Sequence, residues 1–192
     1  MKFILASKNK HKAEEIRSIL PAEAELLTLD EANLGDIEII EDSETFEGNA
    51  LKKAVTVMNA SGLSAIADDS GLCVDALGGR PGVRTARFAG ENATDEENIN
   101  KLLYELRNVP EGERGAKFVC AIAVAVPGSE PYTVTGECCG EILFERCGEN
   151  GFGYDPVFYV PEYEKSMAQL PAEIKNSISH RYNALKKLRF DK

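Results

Sequence analysis

The chain has 192 residues, 43% hydrophobic and 28% charged, a balance that fits one globular domain over residues 1–192 and excludes a disordered polymer. Thirty-two acidic against twenty-two basic side chains give a formal charge of −10, which argues against a nucleic-acid partner, because DNA and RNA are held by neutralising phosphates with Lys and Arg. Five cysteines without a C-x-x-C pair and only two histidines argue against a structural zinc site and for reduced, mostly buried thiols.

Lys2–Ala6 reads as a short buried strand. Its apolar run is too short for a signal peptide or a membrane span, and no later segment approaches that length, so a cytoplasmic protein without a membrane partner is expected. Ser7-Lys8-Asn9-Lys10 is a polar turn, and Ala13, Ile16, Ile19 and Leu20 repeat at helical spacing before Pro21. Glu25–Leu29 looks like a second strand, and an acidic loop through Glu38, Glu41, Asp42 and Glu44 leads to a helix over about residues 45–60. Ser64–Ala67 is an apolar strand that ends in the turn Asp68-Asp69-Ser70-Gly71, after which 72–77 continues extended. Thr94 and Glu97 form a capping box for a helix running to about Leu106.

Lys117–Val126 is the strongest strand, and Pro127-Gly128 turns it into a hairpin with 132–137 that runs on to about Leu143. A glycine-rich loop at 148–153 precedes a short strand at 154–159, and a terminal helix at 179–188 opens on a serine cap. The mixture predicts an α/β sandwich on a mixed sheet, with the hairpin region forming a lobe.

Five stretches carry chemistry, and each has a plain reading beside a functional one; in Thr45–Ala54, Asn49, Lys52 and Lys53 ride a helix just after the acidic loop, either solvated or turned towards a ligand. Asp68-Asp69 sets two carboxylates side by side, which suits a hard cation such as magnesium as well as an Asx turn. The turn from Ser7 to Lys12 concentrates three lysines in an acidic chain; it is either a solvated helix start or a phosphate cradle at a strand-to-helix junction. In Gly151-Phe152-Gly153-Tyr154-Asp155 two glycines flank a phenylalanine, as in a tight turn or a loop that presents a ring for stacking. His180 and Arg181 place cations in the first turn of the last helix, against the dipole, and a local rule broken without local gain points mildly to function.

In their order these stretches resemble the inosine triphosphate pyrophosphatase family. The matching segments are Ser7–Ile16, Thr45–Ala54, Ala65–Gly90, Gly151–Phe158 and Glu173–Leu185, spread over nearly the whole chain. The resemblance implies an elongated α/β fold with a mixed sheet, two lobes and a central nucleotide cleft, a homodimer, and hydrolysis of ITP, dITP and XTP to the monophosphate and pyrophosphate with Mg2+.

It also implies roles. Ser7, Lys8, Asn9, Lys10, His11 and Lys12 lie along the triphosphate, assisted by Lys53; Asp69 activates water and, with Glu41, holds magnesium; Ser70 touches the nucleotide. Phe152, Gly153, Tyr154, Asp155, Lys175, His180 and Arg181 line the base and sugar pocket. Arginine and protonated histidine are pure donors, matched to the keto oxygen at C6 of hypoxanthine and xanthine and mismatched to the amino group of adenine. One departure stands in the second segment, where Gly48 replaces the acid that family members often carry before Asn49.

Overall fold

The computed structural model describes residues 2–21 and 23–188; residues 1, 22 and 189–192 of the expected domain lie outside the described residues. Seven strands hydrogen-bond in the order β2-β1-β3-β4-β5-β6-β7, where β1 is Lys2–Leu5, β2 Glu25–Leu27, β3 Ala65–Val74, β4 Gly115–Ala125, β5 Tyr132–Ile142, β6 Phe158–Val160 and β7 Lys165–Ser166. Five α-helices accompany them: α1 Lys10–Ile19, α2 Phe46–Ser61, α3 Asp95–Glu105, α4 Ala172–Ile178 and α5 His180–Leu185. β1 pairs parallel with β2 and β3, whereas β6 pairs antiparallel with β5 and β7, so the sheet is mixed. Among the described residues no helix is long and apolar enough to cross a membrane.

The chain forms two compact units. The first takes the chain up to Asp69, Cys120–Gly136 and the stretch from His180 onward; the second takes Ser70–Val119 and Glu137–Ser179. The hairpin is therefore not a lobe of its own: the end of β4 and the start of β5 belong to the first unit.

In the first unit, strand alternation sorts the core into two layers. Phe3, Leu5, Ile66, Cys120, Ile122 and Val124 pack with Ala13 and Ile16 of α1 and Ala184 and Leu185 of α5. Ile4, Ala6, Ala65, Ala67, Ala121, Ala123 and Ala125 pack with Ala50, Ala54 and Val57 of α2. Facing alanines let α2 lie close to its strands. The order β2-β1-β3, with α1 and α2 on opposite faces, is a doubly wound arrangement whose switch point lies at the carboxyl end of β1, where such sheets bind ligands. Register puts Asp68 and Asp69 at that level, because Leu5 pairs with Ile66 and Ala6 N–H donates to the Ile66 carbonyl at 2.8 Å.

The second unit has one core, with Leu72, Val74, Phe118, Ile142 and Phe158 from strands and Ile99 and Leu102 from α3. Arg114 is buried within it, donating to the carbonyls of Leu106, Val109, Ile142 and Leu143 and so tying the end of α3 to the end of β5. Thr94 and Glu97 make the expected capping box on α3.

Local expectations fail at four places. Asp68-Asp69-Ser70-Gly71 is not a turn; it lies inside β3, which runs on to Val74. The 154–159 stretch is a 3-10 turn, Asp155–Val157, before β6 begins at Phe158, because Pro156 has no N–H for a ladder. The terminal helix is two helices: Ser179 caps the end of α4 with extended backbone (φ −62°, ψ 155°), and α5 starts anew at His180. All five cysteines are free, but only Cys120 and Cys138 are buried, while Cys139 is exposed.

Candidate active site

Successive residues of a strand face opposite ways, and this divides the acidic pair. Asp68 continues the Ile66 side, where its partners are Lys12 of α1, Arg181 of α5 and Cys120 of β4. Asp69 continues the Ala67 side, where its partners are Lys53 and Asn49 of α2. The two carboxylates thus sit in separate polar networks. Each is hydrogen-bonded to cations of its own side, while Lys12 also lowers the Asp69 carboxyl and Asp68 also raises the Lys53 ammonium through space.

On the α2 side, Lys53 Nζ donates to Asp69 Oδ1 at 2.8 Å and to Glu41 Oε2 at 3.2 Å. Asn49 lies one helical turn before Lys53, donates to Asp69 Oδ2 at 3.3 Å, and clamps Ser43 of the acidic loop through that residue's N–H and carbonyl. Burial pushes the Asp69 carboxyl up and outweighs the downward pull of Lys53, leaving its pKa above the ordinary value. Burial pulls the Lys53 ammonium down, but Asp69 and Glu41 more than restore it. Lys52, next in sequence, is exposed and paired with Asp42.

Gly48 sits in the first turn of α2, and its N–H donates to the Thr45 hydroxyl that caps the helix. A side chain here would meet the Ser43 hydroxyl, a Cβ falling 2.1 Å from it. Ser43 fills the space that a larger residue at this position needs.

On the opposite side, Asp68 is fully buried. Arg181 Nε donates to its Oδ2 at 2.8 Å, Lys12 Nζ to its Oδ1, and the Cys120 thiol to Oδ2 at 3.0 Å. Arg181 Nη1 also donates to Glu15 of α1. Burial pushes the Asp68 carboxyl up, yet Arg181 and Lys12 overcome it and hold the group well below the usual carboxylate range. Burial and Asp68 together push the Cys120 thiol well above its ordinary value.

Asn9 caps α1, its side chain accepting from Lys12 N–H at 3.2 Å, and the Ser7 hydroxyl accepts from Asn9 N–H at 3.2 Å. Lys8, Lys10 and His11 are exposed around this turn. His180 is buried at the start of α5, beside Arg181.

The second unit gathers the remaining expected residues around a loop. Asp155 Oδ2 accepts from Phe152 N–H at 2.9 Å and from Lys175 Nζ of α4 at 2.7 Å. That ammonium also lies 4.7 Å from the centre of the Phe152 ring. Gly151 has φ of +79°, and a Cβ there would fall 2.1 Å from the Asp155 carboxylate, so this turn requires glycine. Gly153 N–H donates to Asp95 at 2.7 Å, and the buried Tyr154 donates its hydroxyl to the Thr85 carbonyl at 2.9 Å. Ser70, half-buried, follows Asp69 directly in β3.

Sequence reasoning passed over Glu15 and Cys120, left open which way Asn49 faces, and read Asp68 with Asp69 as one acidic pair rather than as a residue with partners of its own. Two of them had a signal: Asn49 and Lys53 are four apart, and Lys12 and Glu15 three apart, spacings that share a helix face.

Among the described residues no group of three or more His, Cys, Asp or Glu side chains is placed to hold a metal ion. Glu41 and Asp69 nevertheless converge on one cation, the Lys53 ammonium. Two hard oxygen donors around one positive position suit magnesium, which is often bound by one or two carboxylates with water and substrate phosphates completing the shell.

Known proteins resemble the chain over nearly its whole length. The model of the Ham1 family matches residues 3–190. The dITP/XTP pyrophosphatase of Geobacter sulfurreducens is 52% identical over 186 residues, covering 96% of this chain and 92% of that protein. The dITP/XTP pyrophosphatase of Bacillus subtilis is 48% identical, covering 96% and 93%. The structure of the Staphylococcus aureus Ham1 protein superposes with a TM-score of 0.87 at 44% identity, covering 97% of this chain and 95% of that one. A match over nearly every residue, in both sequence and fold, places this chain in the Ham1 family.

Proposed function

We propose that the protein hydrolyses ITP, dITP and XTP to the nucleoside monophosphate and pyrophosphate. The observation that carries this reading is Asp69, a buried carboxylate in the middle of β3 whose two oxygens are fixed by Lys53 and Asn49 and which shares Lys53 with Glu41. Burial raises its proton affinity towards that of a useful base. Asp69 takes the proton of the attacking water; the water oxygen joins phosphorus, and the anhydride oxygen leaves with the pyrophosphate.

Glu41 and Asp69 are the residues that would hold Mg2+, which when bound neutralises charge developing on the phosphates. Ser7, Lys8, Asn9, Lys10, His11 and Lys12 bind the triphosphate at the head of α1, and Lys53 adds charge from α2. Ser70 touches the nucleotide. His180 and Arg181 read the C6 keto oxygen as donors, while Phe152, Gly153, Tyr154, Asp155 and Lys175 hold base and sugar. The protein works as a cytoplasmic homodimer without nucleic-acid or membrane partners; its charge of −10 supports the exclusion of nucleic acid.

Pyrophosphate release from ITP, dITP, XTP, ATP, GTP and dUTP, with and without magnesium, tests the reading. Release confined to the first three and abolished by EDTA is expected. Equal turnover of ATP, or release unaffected by EDTA, would overturn it.

A further inference from the structure

Arg181 and Lys12 come from opposite ends of the chain and meet on one carboxylate. Lys12 lies in the first turn of α1 and Arg181 in the first turn of α5, yet each donates to a different oxygen of the fully buried Asp68, with the Cys120 thiol closing on Oδ2. Both oxygens are occupied by side chains of the protein's own. Asp68 also faces away from the side of β3 on which Asp69, Glu41 and Lys53 gather. Two cations on one fully buried carboxylate, against the single ammonium and neutral amide that Asp69 receives, make Asp68 a shared counter-ion rather than a base.

The geometry points to Asp68 as a positioning residue that couples the phosphate-binding lysine to the base-reading arginine; the assignment rests on the roles proposed above for Lys12 and Arg181. While both cations share the carboxylate, each limits how tightly it holds the other. A phosphate that draws on Lys12 strengthens the hold on Arg181 and fixes the guanidinium for the base. Base selection is thereby tied to occupation of the phosphate site. A nucleoside triphosphate is then selected more sharply than its base alone would be.

Asp68→Asn keeps the shape and removes the charge. Kinetics on ITP and ATP across a magnesium titration should show the ITP-over-ATP ratio of kcat/KM narrowed about tenfold, the scale of couplings between contacting charged groups. The magnesium concentration for half-maximal rate should stay that of the wild type. A shift in that concentration, or equal proportional losses on both nucleotides, would overturn the assignment.

Because Asp68→Asn leaves Arg181 buried beside a neutral group and can fail to fold, Lys12→Met gives a second route. It keeps the Asp68–Arg181 pair, and it should change the ITP-over-ATP ratio as well as KM. A raised KM with an unchanged ratio would show Lys12 acting on phosphate alone and overturn the coupling. A wild type inactive on ITP would overturn the functional reading and this inference with it, whereas an active wild type with unaltered ratios in folded variants overturns only the inference.

Discussion

Both oxygens of Asp69 accept from side chains of α2, so Asn in its place keeps the shape, removes the charge and leaves one of the two donors, Lys53 or Asn49, without an acceptor. Asp69→Asn should lower kcat on ITP by about 10²–10⁴-fold, with a circular dichroism spectrum of folded protein and a lowered melting temperature, because Lys53 keeps only Glu41 as a charged hydrogen-bond partner. Retention of most turnover at saturating magnesium would remove Asp69 from the chemistry. Lys53 poses the complementary case. Its ammonium stands between Asp69 and Glu41, and Lys53→Met leaves a buried carboxylate without its main cation. Loss of one partner of a buried pair costs about 3–5 kcal/mol, which for a chain of this size lowers Tm by roughly 6–20 °C. If Glu41 and Asp69 hold magnesium, excess MgCl2 should raise the melting temperature of this variant more than that of the wild type. An equal response of the two proteins would speak against that ligand pair, independently of activity.

Among the elements, α5 carries His180 and Arg181 and depends on a close approach to β5. A Cβ on Gly136 would lie 2.2 Å from Ala184 N, 2.3 Å from the His180 carbonyl oxygen and 2.5 Å from the Asn183 carbonyl carbon. All three are backbone atoms, so the clash cannot be relieved by turning a side chain. Gly136→Ala forces α5 away from the strand at a cost of about 1–3 kcal/mol, the usual range for overpacking. Tm should fall by roughly 2–12 °C, and kcat/KM on ITP should fall further than the loss of folded protein explains, because Arg181 moves with its helix. A variant with wild-type melting and kinetics would mean that α5 has room to spare. Gly136 reads as an ordinary strand residue in the sequence; only the packed helix gives it a reason.

For the whole molecule, the two units are not two segments. Each is assembled from separated stretches, and β3, β4 and β5 each pass from one unit to the other, at Asp69–Ser70, Val119–Cys120 and Gly136–Glu137. Unfolding either unit releases the ends of three strands in the other. Calorimetry should therefore record one transition, with calorimetric and van't Hoff enthalpies in agreement. Two resolved transitions would show that the units melt independently despite the shared strands.

What the sequence determined by itself is what local chemistry writes. The Thr94–Glu97 capping box, the helix after Thr45 and the turn expected at 7–10 are written by neighbours three or four residues apart, the β1 and β4 runs by continuous apolar and β-branched residues, and each formed within a residue or two of its expected limits. The ordered motifs likewise identified the family before any contact was known. Tertiary structure decided the rest. Asp68 and Asp69 read as one acidic turn, but the alternation of a continuous strand sends them to opposite faces, where α1 and α5 meet the first and α2 the second. The Arg181–Asp68 pair spans 113 residues of sequence, and no local pattern encodes a partner at that distance. A buried charge is settled by whichever counter-charge the fold delivers to it, and that delivery is a property of packing rather than of spacing.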